Sequence, residues 1–247
     1  MEFVISLIFG LVVGSFLNVC IYRIPRNISI VKPFSFCPEC KNTIKPWHNI
    51  PLLSYILLKG KCASCSSKIS FRYPIVELLN GILYGIAYLH FGLTLVLPFI
   101  FLFISALIVI SFIDLDFQII PDVISIPLII CGLVISVLPH SLDGLVSNIK
   151  DSLLGILFGG GSLFIVALLS RGGMGGGDIK LNAGIGAILG WQNALLTVFI
   201  GSLIGSIVGI IILKKTGNRK IPFGPFLSLG ALVSLFWGQS ILRLYLG

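Results

Sequence analysis

The chain alternates between long apolar stretches and short breaks rich in glycine, proline or charge. Apolar helices are predicted over residues 3–22, 74–91, 93–113, 123–138, 152–169, 179–191, 194–213 and 224–246. Most approach the roughly 20 residues that carry an α-helix across a bilayer core. The segment 179–191 is the shortest. Phe91-Gly92, Pro121-Asp122, Pro139-His140, the glycine cluster at 172–177 and residues 214–222 separate the helices with turn-forming or polar residues. Residues 23–72 interrupt the pattern as a polar insert. The expected fold is an all-α polytopic membrane protein with about eight transmembrane helices and a small cytoplasmic insert. Its expected divisions are a first helix (1–22), the insert (23–72) and a membrane core (73–247).

Composition excludes an ordinary soluble domain, with 56% hydrophobic and 11% charged residues and a mean hydropathy of +1.08. No basic segment precedes the first apolar stretch and no small-residue cleavage site follows it, so a retained helix is expected. The net charge of +8 raises nucleic acid as a partner, but the charge distribution favours membrane orientation instead. If the helices alternate, fifteen of the seventeen Lys and Arg fall on one side, and only Lys150 and Arg243 on the other. That asymmetry places the insert and the loops at 114–122, 171–180 and 214–222 in the cytoplasm, with both termini outside. The expected partner is therefore the lipid bilayer, with no nucleic acid.

Only nine acidic residues are present, and two of them, Asp114 and Asp178, stand at the edges of apolar segments on the cytoplasmic side. A carboxylate near hydrocarbon costs at least a few kcal/mol, so such residues usually have a function. Two close carboxylates share one proton, and the pair then offers an acid and a base to one reaction. Asp116 is the rival to Asp114, but two residues further along a helix it points to nearly the opposite side. Helix dipoles predict Asp178, at a helix start, as the anion and Asp114, at a helix end, as the neutral acid. Gly175, Gly176 and Gly177, just before Asp178, leave space for a substrate strand to approach the backbone. Asp122 reads as a helix N-cap, and Asp143 and Asp151 as solvated loop or cap residues on the outer side.

The insert carries Cys37-Pro38-Glu39-Cys40 and Cys62-Ala63-Ser64-Cys65. Two CxxC pairs supply four thiolates, enough for one closed tetrahedral zinc site that would staple a module too small for its own core. Disulfides are the alternative, disfavoured by the cytoplasmic assignment. Cys20 and Cys131, within apolar spans, read as buried small hydrophobes. His48, His90 and His140 are scattered, no HExxH or GxSxG occurs, and the glycine cluster lacks the GK[ST] ending of a phosphate loop.

Taken in order, these motifs resemble the bacterial prepilin peptidases, the type IV leader peptidases of the GxGD intramembrane aspartic protease class. The resemblance rests on Gly14-Ser15-Phe16-Leu17-Asn18-Val19, Tyr22-Arg23-Ile24-Pro25, the four-cysteine insert, Phe71-Arg72-Tyr73-Pro74 with Glu77, Ile113-Asp114-Leu115-Asp116, Gly175-Gly176-Gly177-Asp178-Ile179-Lys180-Leu181 and Phe223-Gly224-Pro225-Phe226-Leu227. It implies Asp114 and Asp178 as the catalytic pair and prepilins or pseudopilins as substrates. The four-cysteine module further implies N-methylation of the new N-terminus with S-adenosylmethionine, since peptidase-only relatives lack it. Glu77 is a candidate for holding the substrate amine, against the alternative of an ion pair with Arg72. A proton-coupled transporter with a regulatory zinc module is the competing expectation, because membrane carboxylates also mark proton paths.

Overall fold

A computed structural model describes residues 1–139, 145–146, 148–170, 173–216 and 221–246. His140 and Asp143 lie outside the described residues. Among the described residues eight α-helices follow in order: α1 Glu2–Arg23, α2 Leu53–Leu57, α3 Arg72–Phe91, α4 Leu97–Phe117, α5 Asp122–Ile135, α6 Ile149–Leu169, α7 Gly176–Thr216 and α8 Gly224–Leu246. Extended pairing among the described residues is limited to two isolated β-bridges. The chain divides into two compact units, Met1–Leu93 and Thr94–Gly247.

In the first unit α1 packs on α3 by removing side chains from the contact. A Cβ on Gly14 would stand 2.7 Å from the Glu77 Cα, and one on Gly10 would stand 2.8 Å from the Gly81 Cα. Apolar side chains gain nothing by leaving lipid for each other, so membrane helices associate where small residues let backbones touch. Side-chain amides reinforce this seam. Asn80 Nδ2 donates to the Gly10 carbonyl at 2.7 Å, and Asn18 Nδ2 donates to the Tyr73 carbonyl at 3.2 Å.

The insert contains a structural repeat that its sequence conceals. Phe36 bridges Thr43 around the first CxxC, and Lys61 bridges Lys68 around the second. The Cys37 N–H donates to the Asn42 carbonyl as the Cys62 N–H does to Ser67. Lys41 and Ser66 then turn each knuckle back in the left-handed region, at φ 61° and 59°. Apart from the cysteines the two stretches share almost no residues, so no repeat is legible in the sequence.

In the second unit α7 is the central element. Its first arm lies against α6 so closely that a Cβ on either Gly155 or Gly186 would overlap the other's carbonyl. Ser152 Oγ donates to the Ala187 carbonyl at 2.9 Å, and Asn182 Nδ2 to the Gly159 carbonyl at 2.8 Å. α5 meets the same arm where Gly132 faces Ala187 and Gly184 faces Leu128. The second arm carries α8: Thr197 Oγ1 donates to Ser234 Oγ at 3.0 Å, and Gly201 lies under Phe226 and Leu227.

Among the described residues six helices are long and apolar enough to cross a membrane, α7 counting once although it takes in two of the eight expected spans, and the 14-residue α5 is a further apolar helix. The segments 179–191 and 194–213 are joined in α7, interrupted at Gly190, where φ 82° and ψ 169° leave the helical region. Gly159 lies against both Asn182 and Ala194, from opposite sides of that break, so the chain bends sharply there. Of the two readings of Asp151, solvated loop or cap residue, the cap holds. It sits in the first turn of α6 and accepts the Trp191 N–H, capping the second arm of α7 from a neighbouring helix.

Candidate active site and metal centre

Asp114 lies four residues before Gln118, which ends α4 in a left-handed conformation at φ 54°. The helix therefore holds its geometry through both acids, and the carboxylates of Asp114 and Asp116 take different sides. Asp114 is 5% exposed, and Asp116 is exposed. Asp114 Oδ2 accepts the N–H of Gly224, the first residue of α8, at 2.8 Å. A Cβ on Gly224 would come within 2.7 Å of that oxygen, so only glycine permits this approach.

Asp178 is the third residue of α7. Its N–H donates to the Gly175 carbonyl at 3.2 Å, and its Oδ1 is buried with no hydrogen-bond partner among the described residues. The Asp114 carboxylate is near enough to act on it electrostatically. The two acids, 64 positions apart, thus meet within one unit.

The three glycines before Asp178 differ. A Cβ on Gly177 would stand 2.8 Å from Ile120 Cβ, so Gly177 lets α7 begin against the α4–α5 connection. Gly176 faces open space, and Gly175 faces only the Asp178 carboxylate at 3.4 Å. Lys180, in the same turn, donates to both Asp122 oxygens at 2.8 and 2.7 Å, tying α7 to the start of α5. Asp122 is the first residue of α5, not its N-cap. Pro121 occupies the cap, and the Asp122 side chain serves Lys180.

Asp114 sits in the last turn of α4, as expected, but the fold also brings the N-terminus of α8 onto its carboxylate. The α8 dipole there opposes that of α4 and offsets the expected asymmetry with Asp178, at the start of α7.

In the first unit the sulfurs of Cys37, Cys40, Cys62 and Cys65 all lie within 4.8 Å of one another. Cys37 and Cys65 Sγ are 3.9 Å apart. Metal–sulfur bonds of about 2.3 Å in a tetrahedron set sulfur–sulfur edges of about 3.8 Å, so the donor set fits a closed four-thiolate site. All six cysteines are free thiols in this structure. The Cys40 backbone N–H, followed by that of Glu39 and the Ser67 hydroxyl, pulls the Cys37 thiol down to about 6. Cys40 moves to about 11. The Asn42 N–H draws it down, but desolvation and the Cys65 and Cys37 sulfurs push harder the other way. Cys65 is drawn down as well, chiefly by Ser67, so two of the four thiols favour the thiolate, and the push of the Cys65 and Cys37 sulfurs on Cys40 is a repulsion that a bound cation relieves. Cys20 and Cys131 are buried in α1 and α5, as expected.

Residues 8–91 match the bacterial peptidase A24 N-terminal domain, and residues 101–210 match the type IV leader peptidase family. A prepilin leader peptidase/N-methyltransferase of Pseudomonas aeruginosa is 39% identical over 98% of this chain and 92% of its own length. Proteins of the same name from Legionella pneumophila and Bacillus subtilis are 39% and 37% identical, over 97% and 98% of the chain and 93% and 97% of theirs. The chain belongs to the type IV leader peptidase family. No solved structure matches it.

Family membership removes the transporter alternative, and the two family matches fall one in each compact unit. Sequence reasoning singled out the two acids and the four cysteines. Phe223-Gly224-Pro225, one of the motifs of the resemblance, starts α8 and brings the Gly224 N–H onto Asp114. Sequence reasoning missed Ser15 and Leu52, which both donate to Glu77. Ser15 lies in the first motif of the resemblance, but nothing in the sequence marks Leu52.

Proposed function

We propose that this chain removes the leader peptide from type IV prepilins or pseudopilins at the cytoplasmic face of the bacterial inner membrane. In this reading it then N-methylates the newly exposed N-terminus. The reading rests chiefly on one observation: Asp114 and Asp178 come from distant helices to interact within a single unit. Like-charged carboxylates at close range share a proton, so one activates water while the other protonates the scissile carbonyl. The water adds to the carbonyl carbon, and collapse of that adduct breaks the C–N bond as the leaving amine takes up a proton.

Asp114 is held by the Gly224 N–H, whereas Asp178 keeps one oxygen uncommitted and available to water or substrate. A substrate helix must unwind to expose its scissile carbonyl. The open space at Gly176, with Gly175 facing the Asp178 carboxylate, admits such an extended strand beside that acid. The four cysteines hold zinc as a structural ion. S-adenosylmethionine supplies an electrophilic methyl group, and a cavity of about 450 Å³ in the first unit is within the size range of small-molecule sites. The insert and both aspartates face the cytoplasm, and both termini face outward.

The test is leader removal from a co-expressed prepilin, followed by mass, for wild type, Asp114→Asn, Asp178→Asn and Asp116→Asn. Loss by about a thousandfold or more is expected in the first two variants. Asp116→Asn should cleave normally. Cleavage surviving in both the 114 and 178 variants would overturn the aspartic mechanism.

A further inference from the structure

Glu77 stands in the second turn of α3 and is 7% exposed, a carboxylate inside an apolar helix that the peptide-cutting reaction does not use. Such a group is costly unless it is paired. Its partners here are two neutral donors: Oε2 accepts the Leu52 N–H at 2.8 Å, and the Ser15 hydroxyl also bonds to the carboxylate. A carboxylate offers about four acceptor positions, so these two leave capacity unspent.

The surrounding structure is built to hold this acid. Leu52 adopts φ 58° and ψ −48°, a conformation that bulky residues avoid, and it is the N–H of this residue that reaches Glu77. Strain of this kind persists only where the surroundings over-determine it, and it clusters at functional sites. Gly14 presses on the backbone of Glu77, which brings the adjacent Ser15 within reach. Glu77 borders the cavity of about 450 Å³ that lies wholly within the first unit, with Tyr22, Phe36, Tyr55 and Tyr73 among its other walls.

We propose that this cavity is the methyl-acceptor site and that Glu77 receives the α-ammonium of the newly exposed substrate N-terminus. The inference rests on the methyl-transfer half of the function proposed above. A cation at the end of an apolar chain matches a buried carboxylate with aromatic walls. The ammonium passes a proton to the Glu77 carboxylate, and the freed amine lone pair attacks the methyl carbon of the sulfonium donor. An N–C bond forms as the C–S bond breaks, its electron pair leaving with sulfur as a thioether. The product is an N-methylammonium beside protonated Glu77, and charge and atoms balance.

The test uses the full chain in lipid nanodiscs, a synthetic peptide with the mature N-terminus, the same peptide N-acetylated, and an isotope-labelled sulfonium donor. Glu77→Gln should lower the methylated fraction of the peptide by about a hundredfold, a general-base effect, with Glu77→Asp recovering part of it. Binding of the free-amine peptide should exceed that of the acetylated one in wild type, and Glu77→Gln should abolish the preference. Ser15→Ala, which removes one donor and keeps the acid, should retain the preference with a smaller methylation loss. Normal methylation by Glu77→Gln, or an amine preference that is absent in wild type or persists in the variant, overturns the proposal. A wild type that prefers the free amine yet transfers no methyl would sink the methyl-transfer reading and leave Glu77 as an amine-binding residue.

Discussion

The two units bring reactive groups together by opposite means. In Met1–Leu93 the insert gathers four sulfurs from two nearly identical knuckles, so each half of the site forms locally and one ion would join the halves. In Thr94–Gly247 two carboxylates meet only because helices approach backbone to backbone: Gly224 at Asp114, Gly177 at Ile120 and Gly155 at Gly186. A polar module too small for a core is stapled by ligation. A membrane bundle, with no hydrophobic gain between helices, is held by what its contacts leave out.

The sharpest way to break this contrast is to remove the staple. Structural zinc contributes about 10 kcal/mol or more to folding of small metal modules, so Cys62→Ser or a strong chelator should disorder the insert outright. Hydrogen exchange would then rise across residues 37–68, with protection of α6 and α7 retained. Equal loss of protection in α6 and α7 would show that the second unit depends on the ion too.

The converse perturbation is Gly155→Leu. Its Cβ would overlap the Gly186 carbonyl, and backbone cannot move aside as a side chain can. Overpacking costs about 1–3 kcal/mol and more where backbone is involved, so a cost at or above the top of that range is expected. Thermal unfolding of the second unit should fall while the metal content of the protein stays unchanged.

These two sites differ in how far the sequence discloses them. CxxC spacing is local, so four ligands are visible without knowing the fold. Asp114 and Asp178 stand out because a carboxylate near hydrocarbon is expensive, but spacing says nothing of what lies over each one. The dipole argument for Asp114 was incomplete for that reason: the start of α8, 110 residues later, covers it as well. Asp122 was misread for the same reason, since its partner Lys180 is 58 residues away. A break between two helices was expected after residue 191 and falls at Gly190, but its capping by Asp151 depends on a tertiary contact. The knuckle repeat is carried by backbone hydrogen bonds and two left-handed residues, which leave almost no trace in residue identity.

A gentler change tests whether close approach also tunes chemistry. In Gly224→Ala the added methyl would meet Asp114 Oδ2 and push the carboxylate aside. Displacements of about 1 Å at a catalytic group can cost about a hundredfold in rate, so cleavage should fall by that order. The helices should keep their stability, since alanine suits the first turn of α8. An unchanged kcat would mean that Asp114 tolerates movement, and the geometric reading of the pair would lose its main support.

The smallest effect is expected at the Lys180–Asp122 pair. It joins α7 to α5 in the same turn as Asp178, so its position alone suggests a role in aiming that acid. Its exposure argues otherwise: the two side chains are 45% and 54% exposed. Exposed pairs are worth about 0–1 kcal/mol and are screened by salt. Lys180→Ala should therefore lower the unfolding temperature only slightly, with the difference vanishing at high ionic strength, and leave kcat for leader removal near wild type. Gly177 against Ile120 already fixes where α7 begins, and that contact involves no charge. A large fall in kcat at unchanged stability would reverse this ranking. The charge pair, and not the glycine contact, would then be what sets Asp178 in place.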